Sequence, residues 1–321
     1  MRKIAVLGAG IAGCYLAQHL GKKAEVAIFE KSRGAGGRLS TRRGQEFTFD
    51  HGAQYFTARA QQFLLFLAPY LKSGLIESWK PKLITLGNGR PYKRQWFEPH
   101  FVAVPGMSAW LKQMAAPLPI QLNCDIRQAE RRDSRWHLID TRDQEHGPFE
   151  MVISTAPAAQ TAALFPTLAS PLARVQMQAC YAWLLGFEKQ TSAWEAAVVQ
   201  NSPISWLAWN HTKPGRSGPP ALVVHSRNDW AENQLETPSD DVQSQLATAL
   251  KQCAGIDPDQ ARFSQLHRWR YASTATDLGQ PYLLDLTSGL AACGDWCLQG
   301  RVEGAFLSAF QLSELLLQGL D

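Results

Sequence analysis

Gly8-Ala-Gly10-Ile-Ala-Gly13 stands between an apolar run, Arg2 to Leu7, and a segment with helical spacing, Ile11 to Leu20. No other feature constrains the fold as much. Gly8 permits a tight turn, Gly10 lets a pyrophosphate approach the backbone, and Gly13 lets helix and strand pack closely. The first helical N–H groups, at Ile11 and Ala12, have no partner within the helix and offer the positive dipole end to an anion. Gly21 stops the helix, and Glu25 to Glu30 reads as a second strand. Glu30 at its end can accept both hydroxyls of an adenosine ribose, and its charge favours an unphosphorylated one. The expected class is α/β, a Rossmann-type domain with a doubly wound, mainly parallel sheet.

NAD and FAD share this fingerprint, and two further features choose between them. Gly34-Ala-Gly36-Gly37-Arg38 follows Glu30 and Lys31 at once. Its glycines bring backbone close to a second phosphate region, and Arg38 can pair with pyrophosphate charge. Near the other end, the strand Leu290 to Cys293 leads into Gly294-Asp295 and then a helix, Val302 to Gln318. Asp295 can bind a ribityl hydroxyl. The start of that helix, at Val302 and Glu303, would stabilise negative charge at the N1–O2 edge of a reduced flavin. FAD is the expected cofactor.

The 321 residues include 32 Lys and Arg against 28 Asp and Glu, with no dense basic run. Recognition of nucleic acid or an anionic membrane by bulk charge is therefore not expected. No run reaches the ~18–20 apolar residues of a membrane span. The six cysteines are scattered, apart from one C-x-x-x-C at Cys293 and Cys297, and form no C-x-x-C or paired Cys/His cluster. Neither a metal site nor a disulfide framework is expected, and the setting is a reducing cytoplasm.

The length suggests two domains. Gln45–Asp50 reads as a short strand, Arg33–Arg43 as a loop or helix start, Gln61–Leu71 as an amphipathic helix, and residues 79–101 as hairpins. A helix begins at Pro105 and runs to Met114. Strands are expected at Ile120–Cys124, Arg135–Thr141 and Met151–Ser154. From Ala179 to about Leu283 the chain is rich in Trp and β-formers, broken by a helix, Ser239–Gln252, and by a surface loop, Lys213–Pro220. The FAD-binding domain is placed at residues 1–76, 101–162 and 286–321. The substrate domain, an α+β unit on a mixed or antiparallel sheet, takes residues 77–100 and 163–285.

Glu30-Lys-Ser-Arg-Gly-Ala-Gly-Gly-Arg38, with the N-terminal glycines, resembles the flavin amine oxidase superfamily. Within it, several segments resemble the bacterial renalase branch: Gly37-Arg-Leu-Ser-Thr41, Asp50-His-Gly-Ala-Gln-Tyr-Phe56, Val104-Pro-Gly-Met-Ser108, Trp209-Asn-His-Thr-Lys-Pro-Gly-Arg216, His267-Arg-Trp-Arg-Tyr-Ala272, and Gly294-Asp-Trp296 with Gly300-Arg-Val-Glu-Gly-Ala305. Ala35 and Leu39 depart from the usual Pro and Met. The resemblance implies non-covalent FAD, two domains, and oxidation of 2- or 6-dihydro-NAD(P) to NAD(P)+ with O2 reduced to hydrogen peroxide. It also implies that the turn His51, Gly52, Ala53, Gln54, Tyr55 runs beside the isoalloxazine. There His51 is either a proton relay or a hydrogen-bonded turn residue.

A dihydropyridine carries a labile hydride and needs a dry pocket and a stacked ring rather than a strong base. Seven of the eleven Trp lie between positions 183 and 296. Trp209 and Trp269 are the favoured walls because polar residues flank them. Asn210 or His225 could meet a carboxamide, unless His225 is a structural core histidine. Arg270 or Lys213 could meet substrate phosphates, or lie on a solvated face. Oxidation of an amine or another small donor, and flavin binding with little turnover, are the alternative functions. A small-molecule dinucleotide and O2 are the expected partners, and the chain is expected as a monomer or weak dimer.

Overall fold

The computed structural model describes residues 2–87 and 90–319. The strand Lys3–Leu7, the helix Ile11–Leu20 and the strand Glu25–Phe29 open the chain. The helix is buried on most of its surface, between the sheet and the C-terminal helix Val302–Gln318. That accounts for its apolar residues occurring on more than one side.

These strands lie in a six-stranded sheet ordered Tyr282–Asp285, Leu290–Cys293, Met151–Ser154, Lys3–Leu7, Glu25–Phe29, Ile120–Gln121. All neighbours run parallel except Tyr282–Asp285, which is antiparallel at the edge. Leu7 is level with Phe29 on one side and Ser154 on the other, so the carboxyl ends of the three central strands form one rim. The chain leaves Lys3–Leu7 toward one side for Glu25–Phe29 and fills the other side later. This is the switch point outside which α/β sheets place their ligands.

A second sheet of seven strands is ordered Phe263–Thr276, Gln176–Gly186, Ala221–Ser226, Ile204–Trp209, Ala196–Val199, Leu83–Leu86, Tyr92–Lys93. Its two faces do different work. Leu207, Trp209, Leu222 and Val224 pack with Val242, Leu246 and Leu250 of the helix Ser239–Ala254. Alternate residues, Trp206 and Ala208 among them, join the core of the nucleotide domain. The period of two along each strand thus divides its residues between two packed cores.

Several elements differ from expectation. Thr41–Gly44 is a strand paired with Phe47–Asp50 rather than a loop, with Gln45 at φ 52° in the turn. The strand expected over Ile120–Cys124 is only Ile120–Gln121. Two strands, Ile126–Arg132 and Glu145–Phe149, flank Arg135–Asp140 in an antiparallel layer. Asp133 and Ser134, both at positive φ, make the tight turn between the first two. Tyr282–Asp285 belongs to the nucleotide sheet, although it falls just before the boundary placed at residue 286. Among the described residues no helix is long and apolar enough to cross a membrane.

Candidate active site

The glycine motif is built as an anion cradle. Gly8 has φ +102°, and a Cβ there would stand 2.7 Å from Thr155 Oγ1. A Cβ on Gly13 would stand 2.0 Å from the Gly8 carbonyl oxygen, so only glycine lets the helix lie this close. A Cβ on Gly10 would meet nothing within 4 Å among the described residues. The second glycine group closes on the first: Gly36 N–H donates to Ala9 O at 2.9 Å, and a Cβ on Gly37 would meet Gly10 Cα at 3.7 Å. The helix start at Ile11 and Ala12 carries no side-chain cap and no acidic residue. Its donors are therefore not already committed to a side chain of the protein.

Glu30 is 6% exposed. Its Oε2 takes the Ala9 N–H and its Oε1 the Ser32 N–H, each at 2.8 Å. The carboxylate is thus fixed, with a lone pair left on each oxygen for a vicinal diol. Lys31 beside it is exposed. These residues fit an adenine dinucleotide. Glu30→Ala is expected to weaken cofactor affinity by about 1–3 kcal/mol through lost charged hydrogen bonds. Titration of apo protein with cofactor, followed by fluorescence, checks this, and unchanged affinity would remove Glu30 from the ribose.

Arg38 and Asp295, expected to grip separate parts of the cofactor, grip each other. Arg38 Nη1 donates to Asp295 Oδ2 at 2.8 Å and Nη2 to Oδ1 at 2.5 Å. Arg38 also reaches Ala272 O at 3.2 Å. Both carboxylate oxygens are therefore engaged, and the bidentate pair ties the two ends of the nucleotide domain to the seven-stranded sheet. Val302 begins the C-terminal helix, which no side chain caps. Glu303 is committed elsewhere: its Oε1 accepts the N–H groups of Arg59 at 2.7 Å and Ala60 at 2.6 Å, ahead of the helix Gln61–Lys72. It fastens two helix starts together instead of presenting that oxygen to the cofactor.

The turn after Asp50 passes against Arg38. Ala53 N–H donates to Arg38 O at 2.8 Å, and a Cβ on Gly52 would stand 2.0 Å from that oxygen. Asp50 is fully buried. It accepts from Thr41 Oγ1 at 2.7 Å, Met107 N at 2.9 Å and Arg216 Nη2 at 2.6 Å, with Lys213 Nζ at 3.5 Å. Burial would raise its pKa, but the two cations outweigh it and hold the carboxyl below the ordinary range. Lys213 also donates to Gln54 Oε1 at 3.2 Å and lies 5.2 Å from the centre of the Trp79 ring. The loop Lys213–Pro220 is thus not simply a surface loop, because Lys213 and Arg216 turn inward. Burial lowers Lys213 to about 8 against the pull of Asp50.

Three histidines surround the turn. Trp269 Nε1 donates to His51 O at 2.9 Å, and His225 Nε2 lies 3.3 Å from the same oxygen. The His51 ring is 5.0 Å from His267 and 5.2 Å from Trp269. Burial, with His267, Arg42 and His225 adding to it, lowers His51 to about 3. Burial lowers His225 and His267 to about 4. All three rings are neutral at pH 7. Asn210, a candidate for a substrate carboxamide, is fully buried. Its Oδ1 takes the Asp50 N–H at 3.2 Å and its Nδ2 donates to Thr48 O at 2.9 Å, leaving little of the amide for a substrate.

Tyr55 begins an aromatic box that extends well beyond the residues singled out in the sequence. Its ring is 4.5 Å from His100, 5.0 Å from Trp96, 5.6 Å from Trp206 and 6.4 Å from Trp79. Burial raises its phenol, while Arg94 and Arg301 are close enough to pull it down. Trp209, by contrast, is a core residue, 0% exposed, with Nε1 on Ser192 Oγ at 2.7 Å on the sheet's far face. Trp206, three residues earlier, lies on the opposite face, buried in the core of the nucleotide domain beside Tyr55. Arg270 is exposed near Glu236. A separate cavity of about 370 Å³ opens between Ala158 and Ala159, just past the Met151–Ser154 strand, and Gln176, Gln178 and Tyr271 of the other sheet.

The profile of NAD(P)-binding Rossmann-like domains matches residues 6–67. That of flavin containing amine oxidoreductases matches residues 92–317. Among solved structures, a "putative protoporphyrinogen oxidase" from Exiguobacterium sp. 255-15 superposes with TM-score 0.82 at 12% identity, covering 99% of both chains. An oxidoreductase from Methanosarcina mazei gives TM-score 0.72 at 13% identity, over 97% of this chain and 100% of the other. At such identities these structures establish the shared fold.

Proposed function

The chain belongs to the flavin containing amine oxidoreductase family, and from that premise we propose that it is an FAD-dependent oxidase of isomeric, 2- or 6-, dihydro-NAD(P), as in the renalase branch. When bound, FAD supplies a two-electron acceptor that takes a hydride at N5 and returns the electrons to O2 as hydrogen peroxide. Gly8, Gly10, Ile11, Ala12, Gly13, Glu30 and Gly37 would hold its adenosine diphosphate half. Arg38, with Asp295, and the turn from His51 to Tyr55 would hold the remainder, with Val302 at the helix end.

The observation that supports the substrate class is the Tyr55 box with its basic surroundings. Tyr55 and Trp96, both half-buried, suit a flat nicotinamide ring, with Trp96 itself stacked on His100 at 3.6 Å. Arg94 and Arg301, both exposed, suit a dinucleotide's phosphates. His51, His225 and His267, held at about 3 to 4, are poor proton acceptors at neutral pH. Such a pocket serves a donor that already carries its hydride and has no proton to lose. The buried Lys213 favours a second reading, oxidation of an amine, since its positive charge beside Gln54 disfavours protonation of a neighbouring amine.

Anaerobic mixing followed at the flavin absorbance separates these readings. The expected result is rapid bleaching by 2- or 6-dihydro-NAD(P) and much slower bleaching by ordinary NADH. Bleaching by simple amines alone would replace the first reading with the second. No bleaching by any donor would leave a flavin-binding protein without this turnover.

A further inference from the structure

Beneath the strand end that carries Glu30, away from the turn after Asp50, three side chains from three segments converge. Cys124 follows the strand Ile120–Gln121, Asp140 ends Arg135–Asp140, and His146 lies on the neighbouring strand Glu145–Phe149. Their exposures are 2%, 0% and 8%. Cys124 is a free thiol. The distances are 3.6 Å from Cys124 Sγ to Asp140 Oδ2, 3.6 Å from Sγ to His146 Nε2, and 3.3 Å from Nε2 to Oδ2. The Nε2–Oδ2 separation is long for an N–H···O hydrogen bond, whose mode is about 2.9–3.0 Å. All three separations match another arrangement. A tetrahedral zinc ion with Zn–S of about 2.3 Å and Zn–N and Zn–O of about 2.0–2.1 Å sets its ligand atoms about 3.3–3.6 Å apart.

We propose that Cys124 Sγ, Asp140 Oδ2 and His146 Nε2 bind one Zn2+, with water in the fourth position. The surroundings prepare the ligands. Asp140 Oδ1 accepts the N–H groups of Arg142 at 2.8 Å and Gln144 at 3.0 Å, which fixes the carboxylate with Oδ2 toward the other two atoms. Such outer partners orient a metal ligand. The Phe29 ring lies 5.0 Å from the His146 ring and covers that side. Arg142 Nη2 is 3.1 Å from Oδ2, but its side chain is 61% exposed and can swing into water without burying its charge. Thiolate and carboxylate together neutralise the ion, and the thiol proton passes to solvent. Sulfur with imidazole selects zinc over magnesium or calcium, which take oxygen ligands. The role is structural: Cys124 N–H donates to Glu30 O at 3.0 Å, so the ion would fasten the antiparallel layer to the adenosine wall.

Sequence spacing gives no hint of this cluster, because its members meet only when the three segments are laid side by side. The test uses flavin-loaded protein, stripped of metal with a chelator and dialysed against Zn2+ or Co2+. One zinc per chain is expected by elemental analysis, and the Co2+ form should show tetrahedral d–d bands with a thiolate charge-transfer band. Cys124→Ser should lose the charge-transfer band, and His146→Gln should lose stoichiometric binding, while flavin content reports that each variant has folded. Zinc well below one equivalent at saturation, or a cobalt spectrum without the sulfur band, overturns the assignment. If the variants do not fold, these wild-type measurements still decide it.

Discussion

Asp50→Asn is expected to lower folding stability by about 3–5 kcal/mol, the usual cost of leaving a buried charge without its partner. The shape is nearly unchanged, so the loss reports charge and not a cavity. Arg216 and Lys213 have side chains only 1% and 0% exposed, and both point at the same carboxylate oxygen. With the carboxylate neutralised, two desolvated cations face each other, left with neutral partners: the Gln54 amide, the Pro214 carbonyl and the Trp79 ring. Lys213→Met should cost less, because Asp50 keeps Arg216, Thr41 and the Met107 N–H. The double variant should recover part of the Asp50→Asn loss, since one uncompensated charge is gone. Urea unfolding at fixed cofactor concentration measures all three. An Asp50→Asn protein within about 1 kcal/mol of wild type would show that solvent or rearrangement already compensates the cations. The same substitution should loosen the turn from His51 to Tyr55, because Asp50 anchors its start.

What could be read from the chain divides along a physical line. The glycines at 8, 10 and 13, the acid at Glu30 and the strand–turn–helix at Asp295 are local signals, because backbone conformation and helix ends are set within a few residues. Their outcome in three dimensions was less legible. Arg38 and Asp295 lie 257 positions apart, and nothing local says that they neutralise each other. Trp209 looked like a wall of the pocket because polar residues follow it. Strand parity instead places Trp206 in the nucleotide-domain core beside Tyr55 and Trp209 in the far core, and a one-residue difference in register inverts every such assignment. Asn210 is polar for a structural reason, holding the Phe47–Asp50 strand. Lys213 sits in a Pro/Gly-rich segment that reads as surface, yet buried Asp50 draws it inward. Trp79, Trp96 and His100 lay in a stretch read only as hairpins. The box exists because the pairing of Ile76–Ser78 with Phe101–Ala103 brings both ends of that stretch beside Tyr55.

Acidification should unfold this protein before its paired carboxylates titrate. His51, His225 and His267 are neutral in the folded state and are held at about 3, 4 and 4, chiefly by burial. In the unfolded chain each returns to about 6.5. Between those values the unfolded state binds more protons, so stability falls as pH falls. The full contribution is present above about pH 6.5 and is lost progressively toward pH 4. By pH 5 each well-buried ring costs about 2 kcal/mol, so His51 and His225 together remove about 4 kcal/mol. His267 is partly solvated and adds less. Asp50 acts in a separate window: its lowered pKa contributes stability above about pH 4 that disappears only at stronger acid. Unfolding free energies at pH 7 and pH 5, with flavin kept in excess, give the slope. His225→Asn should flatten it by about 2 kcal/mol between those values, even if the variant begins from a lower stability. Equal stability at pH 7 and pH 5 would mean that water reaches these rings, and a wet pocket would undercut the case for a hydride donor that needs no base.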